Sequence, residues 1–424
     1  MASKDFKVAI IGGGVCGLTC AIALTRLGVP VELFEAAPKF EEIGAAIGIG
    51  PNAGRVLQDI GVLEDVLAQA RVPRLNQLTM CFISGMEGHE ILYEYPGGPE
   101  NMSLGIHRAS FLEALEHRLD PNIAHFNKRC TAVNVSPGNP SRYILHFTDG
   151  TTHETDVVLG ADGIKSVVRS VVTDEPSAAQ IAFSNAVVYR ALVSWKALQS
   201  AGIKTDLTVR PICMVGPDKH IVFVPIKNGE IINVAAFATD HHIPMGSANL
   251  TPGIPWLSDV SQEEALKDFE DWGPDVINTL KCIQKISKWS VHVVYPQLGS
   301  YTKGRVALLG DAAHAMLPHL GSGGGQGLED AWVLAHLLSH PQTNASNIEL
   351  VLEAYNRVNM PRSQMVWEAS KSAGEKYHGF GGHGLTPDGL REDLHDQWSP
   401  IWHYDIHDSM QAAVQWLKET GVFS

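Results

Sequence analysis

The tightest constraint on this chain lies within its first thirty-five residues. A short β-branched run, Lys7–Ile11, enters Gly12-Gly13-Gly14-Val15-Cys16-Gly17; a helical stretch, Leu18–Leu27, ends at Gly28, and a second run, Val31–Phe34, closes on Glu35. Strand, G-x-G-x-x-G, helix, strand and acid in this register predict a βαβ unit that holds a dinucleotide. Gly12 permits the tight turn, Gly14 lets the backbone approach a pyrophosphate, and Gly17 lets the helix pack on the sheet. Free N–H groups and the positive end of the helix dipole then meet the diphosphate, with Val15 and Cys16 beside it. Glu35, with Ala36 next to it, can accept hydrogen bonds from an adenosine ribose, and an acid there argues against a 2′-phosphate. With 40 glycines in 424 residues a bare glycine match means little, so the register carries the reading. The motif alone does not separate FAD from NAD.

Composition narrows the remaining classes. The chain is 45% hydrophobic and 18% charged, which excludes disorder, collagen and coiled coil and allows two or three domains. Lys+Arg 32 against Asp+Glu 46 leaves a formal charge of −14, a poor surface for nucleic acid. A small anionic substrate needs local cations against that field. Six widely spaced cysteines without a C-x-x-C pair read as reduced, packing residues of a cytoplasmic protein. No membrane span and no signal peptide are expected.

Four further segments bear on the ligand. Ile43–Arg55 (IGAAIGIGPNAGR) combines close-set glycines with interleaved isoleucines. Ile106–Leu119 is expected to be helical, with Arg108 near its start. Val157–Arg169 (VVLGADGIKSVVR) and Arg305–Leu338 (RVALLGDAAHAMLPHLGSGGGQGLEDAWVLAHLL) each read as buried strand, acid, loop and helix, with helices carrying Ser166 and Arg169 and starting at Gln326. Asp162 and Asp311 end those strands, which suits a polyhydroxy chain beside an electron-rich ring.

Taken in order, these motifs resemble the FAD-dependent aromatic hydroxylases, single-component monooxygenases with the 4-hydroxybenzoate hydroxylase fold, over about residues 6 to 365. Within that family the salicylate hydroxylases are the nearer match, through LFEAAPKFEEIGAAIGIGPNA, LGADGIKSVVRS and GRVALLGDAAHAMLPHLGSGGGQGLEDAWVLA. The resemblance implies that Gly12, Gly14, Gly17 and Glu35 hold the ADP half of FAD, with Arg55 and Arg108 near the cofactor. It implies Asp162 in FAD and nicotinamide binding, Asp311 on the ribityl chain, Gly323, Gly324 and Gly325 at the flavin pyrimidine edge, and Pro318 near the reacting face. The implied fold is α/β: a Rossmann-like FAD-binding domain (1–73, 101–180 and 296–365), an inserted, mostly antiparallel substrate sheet (74–100 and 181–295) and a C-terminal helical extension (366–424). No separate NADH domain is expected.

The inserted region alternates as antiparallel strands should, in Ala186–Leu192, Pro211–Val215, Ile221–Ile226 and Ile231–Ala238, with Asn228-Gly229 as a hairpin signal; Arg74–Tyr95 is expected to join it. The chemistry the resemblance implies is hydroxylation through a flavin C4a-hydroperoxide, most simply of salicylate to catechol with loss of CO2, consuming O2 and NADH. Another hydroxybenzoate or a hydroxynicotinate is the alternative, and a non-catalytic binding protein like the GDP-dissociation inhibitors is a third reading. A phenol must give up its proton to be attacked, and His319, directly after Pro318, is the expected acceptor. His241 aligns approximately with an Arg of the bacterial salicylate hydroxylases proposed to meet the carboxylate. Arg190 is a second candidate anchor, while Cys213, Met214 and Phe223 could line an apolar wall. His314 reads as structural or cofactor-adjacent.

The tail after Met365 holds four of nine tryptophans and five histidines. His403 and His407 stand at i, i+4, yet without a third ligand no metal is expected, and packed helices over Gln397–His407 and Ser409–Leu417 fit better. The expected assembly is a monomer or homodimer.

Overall fold

Val8–Ile11 pairs in parallel with Val31–Phe34 on one side and Val157–Gly160 on the other, and all four of its residues are buried, as a central parallel strand requires. This is the centre of a six-stranded sheet ordered Thr302–Lys303, Val306–Leu308, Val157–Gly160, Val8–Ile11, Val31–Phe34, Ala124–His125. Only the outermost pair, Thr302–Lys303 with Val306–Leu308, is antiparallel. The computed structural model describes residues 4–40, 46–72, 74–75, 79–248 and 255–424. Ile43 and Gly44 lie outside the described residues.

The helix Val15–Arg26 joins the first two strands and packs against Gly323–Ser339. Both helices start three residues before the positions expected from apolar spacing, because the glycines themselves form the first turns. Ile106 and His107 belong to a strand, Leu104–His107, paired with Ala46–Ile49, and the helix begins only at Arg108. Ser166 likewise precedes its helix, Val168–Thr173, and caps it by accepting from Arg169 N at 2.9 Å.

A second sheet of eight strands runs Leu257–Val260, Ile286–Val294, Ile181–Ser194, Ile231–Thr239, Lys219–Ile226, Ile212–Gly216, Cys81–Ser84, Ile91–Glu94. It is antiparallel except between Ile212–Gly216 and Cys81–Ser84. The expected hairpin closes at Ile226 opposite Ile231, with Lys227, Asn228 and Gly229 at φ 50°, 56° and 81°. One face, including Tyr189, Met214, Ile221, Phe223 and Val234, packs on the helices Gln262–Asp268 and Pro274–Cys282. The other turns Val188, Arg190, Val222, Val224, Asn233 and Phe237 towards the first sheet.

The helix Ile348–Tyr377 runs unbroken across position 365, so the compositional change there marks no break in structure. Beyond it come Pro387–Leu394, Ser399–Trp402 and Ile406–Glu419. Leu390, Leu394, Trp398, Ile401 and Trp402 form one apolar cluster with Phe82, Tyr93, Tyr95 and Leu320, which ties the tail to the second sheet and to the loop before Gly323. His403 and His407 do not share a helix: His403 Nε2 meets Asn101 Oδ1 at 2.8 Å, and His407 Nε2 meets Asp59 at 3.3 Å. Among the described residues no helix is long and apolar enough to cross a membrane.

Candidate active site

Between the two sheets lies a cavity of about 790 Å³. Its long arm starts at Gly12–Cys16 and Glu35–Ala36, passes Asp162 and Asp311, and ends at Gly323–Gly325. The backbone at the start is fixed by close approach. Gly12 has φ +104°, and a Cβ there would stand 2.3 Å from Ala161 O; a Cβ on Gly17 would stand 1.9 Å from Gly12 O. Gly17 itself does not line the cavity, since its part is to let the helix touch the turn. Glu35 fastens this corner by accepting from Gly13 N at 2.6 Å and Ala37 N at 2.7 Å.

Two helices present their N-termini to the cavity with no side-chain cap, at Gly14 and Ser322. Their first N–H groups are thus left for a ligand. Asp162 is half-buried; its Oδ2 accepts from Val167 N and Val168 N, while its buried Oδ1 has no partner among the described residues. Burial pushes its pKa up despite those bonds. Arg169, wholly buried, donates to Ile164 O at 2.5 Å and to Ala312 O at 3.0 Å, and so ties the Asp162 segment to the Asp311 segment. His314 is held by Asp330 at 2.6 Å, and Asp330 also accepts from Gly310 N.

Arg55 lies elsewhere. It donates to Trp402 O at 2.6 Å and Tyr404 O at 3.1 Å and does not line the cavity, so its task is to hold the tail. The tail in turn supplies two lining residues that local sequence gave no means of finding, Trp398 and Trp402. Trp398 Nε1 donates to Leu320 O at 3.1 Å, and Ser370 Oγ donates to Leu317 O at 2.5 Å, so both pin the Pro318–His319 loop.

The short arm of the cavity is walled by Val222, Val224, Phe237, Leu317 and Pro318, with Arg190, Asn233 and His319 among its polar members. Met214 and Phe223 are absent from it because the period of two turns them to the opposite face. Cys213 is sealed beneath Phe82, Tyr377 and Trp398. The Arg190 guanidinium lies 5.6 Å from the Trp289 ring, and burial, then Arg108, pushes its pKa down, with no carboxylate opposing among the described residues. Burial, then His241, pushes His319 to about 3, so it is neutral at physiological pH. His241 does not reach this cavity; it lines a smaller one of about 190 Å³, of which His319 is also a wall. Five cations, Arg108, Lys128, Arg129, Lys165 and Arg190, line the main cavity of a chain whose formal charge is −14.

Residues 5–370 match the FAD-binding-domain family. A salicylate hydroxylase of Pseudomonas putida is 37% identical over 96% of this chain and 94% of that protein. The chain belongs to the FAD-dependent monooxygenases of the salicylate hydroxylase type. A 6-methylsalicylate 1-monooxygenase of Aspergillus terreus is 33% identical over 88% of this chain and 83% of that protein. Among solved structures, a salicylate hydroxylase substrate complex superposes with a TM-score of 0.84 at 32% identity, covering 96% of this chain and 98% of the other.

The cavity of this monooxygenase suits FAD on its own features. Uncapped helix N-termini and cationic side chains match a diphosphate, and the buried, unpartnered Asp162 Oδ1 matches a hydroxyl-bearing ligand. The adjoining apolar lining of Val222, Val224, Phe237, Leu317 and Pro318 suits the faces of an aromatic ring.

Proposed function

We propose that this monooxygenase converts salicylate to catechol and CO2, using O2 and NADH. One juxtaposition carries the reading: a single cavity holds a desolvated guanidinium, Arg190, with no carboxylate against it among the described residues, and a neutral imidazole, His319, in the loop before Gly323–Gly325. In this reading Gly12–Cys16, Glu35 and Ala36 hold the ADP half of FAD, Asp162 and Asp311 its polyhydroxy chain, and Gly323–Gly325 the ring edge. Residues 1–73, 101–180 and 296–365 form the FAD-binding unit. Bound there, FAD would supply the redox chemistry that turns O2 into an electrophilic hydroxyl equivalent, with electrons from NADH.

The chain's own groups bind and prepare the ring. Arg190, with Arg108 beside it, takes the substrate carboxylate, which neutralises a buried charge. An imidazole nitrogen of His319 accepts the phenol proton, and the phenolate pushes electron density to the ring carbon that bears the carboxylate. Oxygen bonds to that carbon; the bond to the carboxyl carbon then breaks, its electron pair restores the aromatic ring, and CO2 leaves. Val222, Val224, Phe237, Leu317 and Pro318 keep water from the reacting face.

The test is aerobic NADH oxidation by FAD-loaded protein with salicylate, with catechol, CO2 and H2O2 all quantified. Catechol and CO2 equal to NADH consumed is the expected result. NADH loss with mainly H2O2 would replace salicylate by another hydroxybenzoate or a hydroxynicotinate. His319→Ala should keep FAD and lose coupled product; unchanged catechol formation would remove His319 from the mechanism.

A further inference from the structure

Three imidazoles form a hydrogen-bonded file beside His319. His220 Nδ1 meets His378 Nε2 at 2.7 Å, and His378 Nδ1 meets His241 Nε2 at 2.7 Å. The three come from distant parts of the chain: the strand Lys219–Ile226, the end of the helix Ile348–Tyr377, and the segment after Ile231–Thr239. His220 is wholly buried against Phe237, His378 is buried, and His241 is only half-buried, beneath the exposed Phe380. The file therefore runs from the interior outwards.

Its inner end abuts the catalytic loop. The His220 and His319 rings stand edge to face with centroids 5.1 Å apart, and two of their nitrogens, His220 Nε2 and His319 Nδ1, are buried without a partner. Orphaned polar atoms of this kind are costly unless they serve a purpose. His319, His378 and His241 also share the small cavity of about 190 Å³, whose other polar walls include Asp240, Lys371 and Glu375.

We infer that the file His220–His378–His241 is the outlet by which the phenol proton taken up at His319 reaches solvent. The inference rests on the reading of His319 as the proton acceptor. His319 passes a proton to His220 Nε2; His220 gives up its Nδ1 proton to His378 Nε2, and His378 its Nδ1 proton to His241 Nε2. His241 then releases a proton to water, so one enters and one leaves, and reversal returns a proton to the product.

Electrostatics favours passage over storage. Burial keeps His220 and His378 far below the ordinary imidazole range, with neighbouring imidazoles adding to it, so neither retains a charge. Burial also lowers His241, but there Asp218, Glu375 and Asp240 oppose it, while His242 works with it. The Lys371–Glu375 pair at 2.7 Å lines the small cavity with His378, and the Tyr377 ring stands edge-on to His220 at 5.3 Å. Positive charge is thus easiest at the outer end.

The test mixes oxidised, FAD-loaded protein with salicylate in weak buffer containing a pH indicator, without NADH, and follows proton release by stopped flow. The flavin absorbance change gives salicylate affinity in the same experiment. His378→Gln keeps bulk and hydrogen bonding but cannot relay a proton; release should slow about tenfold or more with affinity nearly unchanged. His378→Ala should be slowed alike and recover with added imidazole, which a merely structural role would not produce. Release at the wild-type rate in both variants overturns the outlet. If His319→Ala then abolishes release, the acceptor reading survives the outlet's failure; if His319→Ala releases normally, or the wild type releases nothing, both fall.

Discussion

Gly374 lies directly against the imidazole of His319: a Cβ at position 374 would stand 2.4 Å from His319 Cδ2 and 2.5 Å from Nε2. Glycine costs helix stability, and this one sits in the last turn of a thirty-residue helix, Ile348–Tyr377. Its absent side chain is the space that the ring occupies. Gly374→Ala should therefore displace His319 and uncouple the reaction. We expect catechol per NADH to fall about tenfold or more while FAD content stays normal. The assay is the coupling ratio at saturating salicylate; wild-type coupling would deny Gly374 its positioning role.

A second prediction concerns the tail. Arg362 is buried and doubly bonded to buried Glu329 at 3.0 and 3.1 Å, and it also donates to Pro400 O and Ile401 O. The guanidinium sits 3.9 Å from the Tyr404 ring centroid. Arg362→Ala would strand the Glu329 carboxylate and free the segment that carries Trp402. We expect a loss of about 3–5 kcal/mol in urea unfolding, because an uncompensated buried charge remains. The double variant Arg362→Met with Glu329→Leu should recover much of that loss.

These two features show where sequence reading stops. The βαβ fingerprint, Asp162, Asp311 and the glycine loop were legible because strand, turn and helix signals fall within about twenty residues of one another. The substrate sheet was legible from alternation, but which of Cys213, Met214 and Phe223 faced a ligand was not, since that depends on which side the helices cover. Arg55, which the resemblance puts near the cofactor, has as its partners the carbonyls of Trp402 and Tyr404, almost 350 residues away in sequence, and such partners leave no local signal. Gly374, His220 and His378 gave no local signal because each matters only through a neighbour brought there by folding.

Asp311 offers a direct check of the cofactor arm. It opens the short helix Asp311–His314 and lines the long arm of the cavity. Asp311→Ala removes the acceptor that the proposed reading puts against the cofactor's hydroxyls, without removing either partner of the Asp330–His314 bond. FAD retained through gel filtration should drop, with dissociation about ten- to a hundredfold weaker, while circular dichroism stays native. Full flavin occupancy in the variant would move the ribityl contact elsewhere.

The histidines also set the acid side of stability. His319 is held near 3 in the folded chain, against an ordinary value of 6.5, because burial disfavours the cation. Below pH 6.5 the unfolded chain gains a proton at this residue that the folded chain does not, so stability falls as pH drops, and goes on falling until about pH 3. From pH 6.5 to 5 this one group removes about 2 kcal/mol. His220 and His378 act in the same direction. His314 differs: burial opposes its charge, but Asp330, Asp311 and a backbone hydrogen bond together outweigh burial and its pKa is raised. Its contribution is complete below 6.5 and is lost only as pH rises through the raised value, so it does not offset the acid loss. Urea unfolding of FAD-loaded protein at pH 7 and pH 5 should show a marked acid loss, smaller by about 2 kcal/mol in His319→Gln. Equal acid loss in variant and wild type would mean that His319 is not held neutral.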